Sequence, residues 1–231
     1  MGTNVTSAAY VANQIEQKVL PIWNRDQGLT AEGGLFVATN PTPGTAIATT
    51  TSITTEDQTK PVLLLQNGYS ATDSNAKNLY PISLNMLISQ VPTSATDWQL
   101  AIRLDLQSAK YTSGGSTITP VNCGGNSSAT SPAKIYFGAV VGLTMSTSLG
   151  RLVSRRQINS VVPVTKDQWY FSFGDTGSSS DQIAGGAGAK NVNFTLPPIV
   201  LAPQWWLAID MWGGSNAAAP SWEFELVYAE R

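Results

Sequence analysis

The sequence contains no histidine and a single cysteine, Cys123. Without an imidazole there is no Ser-His-Asp or Cys-His relay and no HExxH zinc site, because each needs a group that exchanges a proton near neutral pH. A lone thiol closes no internal disulfide, and Cys123 stands in a Gly/Asn-rich stretch that suits a small residue better than an activated nucleophile. Charge is scarce as well: Asp, Glu, Lys and Arg make up 12% of the chain, and the formal net charge is -2. Such a surface projects no long-range basic field, so neither specific nucleic acid nor a membrane is expected as a partner. No apolar run approaches the roughly 18 residues that span a bilayer. Met1 to Ser7 carries no Lys or Arg ahead of an apolar stretch, as a secretory signal would. Gly2 and Thr6 fit the N-myristoylation pattern, which is short enough to be met by chance.

What is present is Ser, Thr, Gly and short apolar segments. From Val5 to Trp23, the residues Val5, Ala8, Ala9, Ala12, Ile15, Val19 and Ile22 recur at three- and four-residue steps, the period of an amphipathic helix. Thr3 or Asn4 can cap its start, and Pro21 ends it or lies just beyond. This Ala-rich face predicts an N-terminal helical arm over residues 1 to 30, packed either on its own domain or on a neighbouring subunit, with Ile15, Val19 and Trp23 as interface candidates.

After Gly28 the period changes to two. Leu35 to Thr39, Pro61 to Gln66, Tyr80 to Val91, Trp98 to Leu106, Lys134 to Thr144, Gln168 to Phe173, Asn191 to Leu196 and Ile199 to Leu201 read as short strands between turn signals. Thr45 to Thr55 is Thr-rich and predicts a solvent-washed strand. Tyr111 to Pro132 and Gly174 to Lys190 read as long soft loops, the kind that in a compact domain contacts a partner. Nine or ten strands in residues 31 to 231 predict one all-β domain, a jelly-roll-like antiparallel β-sandwich with a short N-terminal helix or arm.

The stretch from Ala202 to Glu230 is the most aromatic, and both of its halves alternate. An eight-residue linker with Gly213, Gly214, Asn216 and Pro220 joins them, which predicts an antiparallel hairpin. Trp205, Leu207, Ile209 and Met211 share one face; Trp206, Ala208, Asp210 and Trp212 share the other. Because an acid is seldom buried without a partner, Asp210 assigns the second face to the outside, and Trp206 and Trp212 become candidates for a self-association surface.

Chemistry-bearing motifs are few. Asp175-Thr176-Gly177-Ser178 resembles the loop of aspartic proteases, but that reaction needs two carboxylates sharing a proton, no second such loop occurs, and Gly174 stands where that family has an apolar residue. Asp175 with Asp181, or Asp73 with Asn75, has the oxygen donors that calcium takes, yet neither spacing is that of an EF-hand, and solvated turns use the same residues. Arg151, Arg155 and Arg156 form the one basic cluster, expected as a solvated face or an intersubunit ion pair. Gly185 to Lys190 lacks the strand and helix entry of a phosphate loop. The N-x-S/T triplets at Asn4, Asn126 and Asn193 carry little weight in a chain so rich in Ser and Thr. No catalytic, cofactor or metal residue is expected.

The ending N-F-T-L-P-P-I-V-L-A-P-Q-W-W-L-A-I, a loop, and W-E-F-E-L-V-Y-A-E-R resembles the final strands of jelly-roll virion proteins of tailed bacteriophages. Gln204-Trp205 stands where a Pro-Gly turn is commoner in them. The resemblance implies a structural, capsid-associated role: a decoration or cement protein, a vertex protein or the base of a head fibre. It also implies the major capsid protein or other virion proteins as partners and assembly in the host cytoplasm into a virion; the Trp206 and Trp212 face predicts a homo-oligomer, for which a trimer is the expected closed form. A carbohydrate- or receptor-binding module of a fibre or tail is the alternative from a different class, with the aspartic protease as a remote third.

Overall fold

A computed structural model describes residues 25–49, 55–90, 98–105, 111, 113–124, 128–143, 150–158, 165–174, 191–213 and 220–231. The expected helix from Val5 to Trp23 lies outside them. So do residues 50–54 of the Thr-rich run and the loop of residues 175–190.

The described chain opens with a helix of about two turns, α1 (Arg25–Ala31), which carries on past Gly28, where the sequence signals sheet. Its end is a Schellman motif: Gly34 N donates to Leu29 O at 2.8 Å and Gly33 N to Thr30 O at 3.1 Å. Gly33 takes the left-handed φ of 71° that this stop requires. Thirteen strands follow: β1 (Leu35–Thr39), β2 (Ile47–Ala48), β3 (Leu63–Gln66), β4 (Leu79–Gln90), β5 (Trp98–Asp105), β6 (Gly114–Ile118), β7 (Val121–Asn122), β8 (Lys134–Val140), β9 (Arg151–Ile158), β10 (Gln168–Phe173), β11 (Asn191–Leu196), β12 (Trp206–Gly213) and β13 (Ser221–Glu230). Three of these are not legible in the sequence: β6 and β7 lie in the stretch expected to be loop, and β9 carries the arginine cluster.

The strands form two sheets. The first runs β11-β10-β4-β13-β1-β7, with β2 also on β13; the second runs β6-β8-β3-β12-β5-β9. Set aside β2, β6, β7, β8 and β11, and number the remaining eight in chain order. They then lie sixth-third-eighth-first in one sheet and second-seventh-fourth-fifth in the other. That is the double Greek key of a jelly roll. The neighbouring pairs are antiparallel except β10 with β11, which run parallel.

The expected closing hairpin is not formed. β12 pairs with β3 and β5 in the second sheet, and β13 pairs with β4, β1 and β2 in the first. Both edges of each strand are already hydrogen-bonded to other strands, so Gly213 and Ser221 end and begin strands of different sheets. Alternation reports which side chains share a face and not which strand lies alongside, and the two-residue period of a hairpin and of a sandwich crossing are the same.

Along one edge β13 is served in three pieces. β1 pairs with Glu225 to Ala229, β2 pairs with Ser221 and Trp222, and between them Asn40 Oδ1 accepts from Phe224 N at 2.6 Å. The core between the sheets is aromatic. Phe137 of β8 stacks on Phe224 of β13 with centroids 4.1 Å apart, joining the two layers, and Trp169, Trp222, Phe171 and Phe194 pack beside them. Leu63, Leu65, Leu207, Ile209 and Met211 supply the second sheet's contribution.

Candidate interaction surfaces

Inward positions fill the core, so any contact with another molecule uses the two outer faces and the edges. The outer faces are unlike. On the second sheet, Trp206 and Ala208 of β12 pack with Leu64, Val140 and Leu143, and Tyr111 stacks on Tyr136 at 3.8 Å at the margin of this cluster. Tyr111 and Leu143 therefore roof the outer face of β12, and every residue of that strand is buried.

Trp206 and Trp212 do lie on the face opposite Leu207 and Ile209, but they are 1% and 5% exposed, not the open pair expected. Arg155 of β9 reaches over the Trp212 ring with its guanidinium carbon 5.6 Å from the centroid, a cation-π contact, and donates to Gln99 Oε1 at 2.6 Å. The inference from Asp210 fails because the acid itself is buried, at 1% exposure. Its Oδ2 stands 3.4 Å from Arg103 Nε. Burial outweighs that neighbour and pushes the Asp210 carboxyl up to about 7. Ile15, Val19 and Trp23, the arm candidates, lie outside the described residues.

The first sheet presents a different outer face. At one end Leu29 of α1 packs on Leu35 and Ala229, with Tyr80, Ile82 and Val227 against them. Beside this contact is a cleft of about 390 Å³ lined by Leu29, Tyr80, Ile82, Phe173, Ile199 and Val200 among others. Val200 is exposed, and Arg231 Nη2 and Glu32 Oε2 pair at 3.2 Å on the surface nearby. Away from the helix the register builds a largely polar grid. Asn193, Tyr170, Asn85, Glu225 and Thr39 stand in one row across five strands, and Asn191, Gln168, Leu87 and Glu223 in the next. Neighbouring strands lie about 4.8 Å apart, so the row is a ladder of side chains at that spacing. Tyr170, second in that row, is 39% exposed, and Gln168 Nε2 donates to Asn85 Oδ1 at 2.8 Å beside it. Glu223 is held by Ser89 Oγ at 3.0 Å and Gly44 N at 3.2 Å.

A buried polar corner ties the end of the chain to two loops. Glu230, 3% exposed, accepts from Tyr69 OH at 3.0 Å and from Ser131 Oγ, whose oxygen accepts in turn from Tyr228 OH. Burial and the Glu230 charge push the Tyr69 phenol up to about 12. Asn67, fully buried, donates from Nδ2 to Lys77 O and Leu201 O, both at 2.8 Å, and accepts from Tyr69 N at 3.0 Å. Every named oxygen of this corner has a protein partner, so it reads as a structural lock.

The other sequence candidates are scattered. Asp73 Oδ1 accepts from Asn75 N at 2.9 Å, an Asx turn on the surface, and Asp175, Asp181 and Asn126 are outside the described residues. Among the described residues no cluster of three or more His, Cys, Asp or Glu side chains is placed to hold a metal ion, and no helix is long and apolar enough to cross a membrane. Cys123 is exposed at the end of β7, its thiol pushed up by burial and by Glu225. No protein-family model, curated protein or solved structure matches the chain.

Proposed function

We propose that this chain is a structural subunit of a virion, a capsid-associated decoration, cement or minor component that docks on the head lattice and associates with copies of itself. The observation that carries this reading is the asymmetry of the jelly roll's two outer faces. One is covered over β12 by the chain's own Tyr111 and Leu143. The other bears the apolar cleft, the exposed Tyr170 and α1, through which residues 1–24 join the domain. A subunit of a shell needs one face to meet its neighbours, and the jelly roll is among the folds viral capsids use. The major capsid protein is the proposed partner and a trimer the proposed closed form.

The polar grid favours a second reading, a carbohydrate- or receptor-binding module. Amides, hydroxyls and an exposed aromatic ring on one sheet face suit a sugar, with the ring as a stacking platform. One experiment separates the two. In light scattering after size exclusion and in purified particles, a stoichiometric oligomer that co-purifies with assembled heads supports the structural reading. A monomer absent from particles and retained on a glycan matrix, with retention lost on Tyr170→Ala, supports the other.

A further inference from the structure

We propose that Asp210, Arg103 and Glu56 form a proton-operated latch that holds the turn of residues 55–60 against the outer face of the second sheet. Arg103 on β5 pairs in register with Ala208, and Asp210 on β12 with Ala101, so the two charged residues are diagonal neighbours on that face. Arg103 gives its hydrogen bonds to the turn: Nε donates to Glu56 Oε1 at 2.8 Å, and Nη2 donates to the same oxygen. Among the described residues Asp210 receives none, and both of its oxygens are buried without a hydrogen-bond partner there. One guanidinium thus stands between two carboxylates and is committed to the one on the turn.

The net charge of the cluster depends on one proton. With Asp210 protonated, Arg103 and Glu56 cancel and the buried cluster is neutral. With Asp210 ionised, the cluster carries a net negative charge in a site where an uncompensated ion is expensive. Asp210 and Arg103 are fixed on paired interior strands, whereas the Glu56 side chain is 25% exposed and can rehydrate. The least costly relief is for the guanidinium to turn to Asp210, already 3.4 Å away, and for Glu56 and its turn to leave.

The other charges near Asp210 do not replace this exchange. Asp57, on the same turn, adds to the repulsion, but it is held ionised by hydrogen bonds from Thr59 and paired with Lys60 at 3.1 Å. Arg155, from β9, is occupied by Trp212 and Gln99. Among the described residues the turn is also tethered through Thr59 O, which accepts from Leu143 N at 3.2 Å, so its release loosens the roof over Trp206. The latch is closed below neutral pH and opens as pH rises through neutrality, because burial places Asp210's titration there.

Hydrogen exchange of the full chain at pH 6 and pH 8.5, corrected for the intrinsic rate, tests the proposal. Protection of the Lys60 and Leu143 amides should fall on the order of tenfold at the higher pH. Asp210→Asn should keep the turn closed and make protection independent of pH, and Glu56→Gln should lower it at both. Equal protection of the wild type at the two values, or an unchanged pH dependence in Asp210→Asn, overturns the latch. If Asp210→Asn does not fold, the wild-type Asp210 carboxyl carbon is followed by NMR. A midpoint near neutrality upholds the proposal, and one in the ordinary carboxylate range overturns it.

Discussion

The Tyr228 hydroxyl donates a 2.6 Å hydrogen bond to Ser131 Oγ, and Ser131 donates onward to Glu230, two residues along the same strand as the tyrosine. Through this relay the connection between β5 and β9, which folds back as β6, β7 and β8, is pinned to the last strand of the chain. Ser131 also accepts from Ala133 N at 3.1 Å, which shapes the entry to β8. Because the corner lies under Tyr69 and is partly closed to water, removing the hydroxyl leaves groups that solvent cannot fully serve. Ser131→Ala should destabilise the fold by about 1–3 kcal/mol, the range for stranding buried polar groups. Urea unfolding followed by tryptophan fluorescence checks it, and a loss under about 0.5 kcal/mol, the scatter of ordinary surface changes, would mean the relay is not a lock.

A matched pair of glycines tests the close approach beside that relay. A Cβ on Gly68 would sit 1.9 Å from Pro132 O, a contact with backbone that no rotamer change relieves, and the neighbouring Asn67 is fully buried. Gly28, inside α1, has nothing within 4 Å of its added Cβ. Gly68→Ala should therefore destabilise by upwards of about 3 kcal/mol through forced backbone movement. Gly28→Ala should stabilise, by at most about 1 kcal/mol, since alanine is the better helix former. Thermal unfolding of the two variants gives opposite shifts if the loop packing is as described.

Much of the fold is legible in the sequence, because a half-buried strand writes its period there. Leu35–Thr39, Gln168–Phe173 and Asn191–Leu196 are readable to the residue. What period two does not carry is partnership, which is why β12 and β13 read as a hairpin while lying in opposite sheets. β6 and β7 escape because Gly114, Ser116, Thr117 and Asn122 pair at a sheet margin, where hydrogen bonds and not apolar burial define the strand. In the candidate surfaces, Asp210 stands out as the one acid inside an apolar strand. It reads as a mark of solvent because its partner, Arg103, is distant in sequence and adjacent only once β5 lies beside β12.

The burial of Trp206 reverses what its replacement is expected to do. The ring packs with Leu64, Val140 and Leu143, and its Nε1 has no acceptor among the described residues. Trp206→Ala should lower stability by about 3–5 kcal/mol, the usual loss for emptying an aromatic site in a core. Trp206→Phe, which keeps a ring and removes the unsatisfied N–H, should cost far less. Sizing of the folded variants should show unchanged association. A variant that folds at wild-type stability yet dissociates would return this tryptophan to the interface.

The proton that the folded chain keeps on Asp210 makes stability depend on pH. Asp210 titrates near 3.8 when exposed and at about 7 in the fold, where burial is the largest cause. Between those values the native state holds a proton that the unfolded state has released, so raising pH draws the equilibrium toward unfolding. The group's contribution is fully present below about pH 4, declines by about 1.4 kcal/mol per pH unit across the window, and is lost above about pH 7. The whole loss is roughly 4 kcal/mol as an upper bound, because release of Glu56 lets Arg103 turn to Asp210 and offsets part of it. Asp210→Asn has no proton to lose there. Urea unfolding at pH 5, 6, 7 and 8 should therefore show the difference between variant and wild type moving in the variant's favour as pH rises, and levelling above pH 7. A difference that stays constant across the series would place the Asp210 titration at its ordinary acid value and remove the strain ascribed to this cluster.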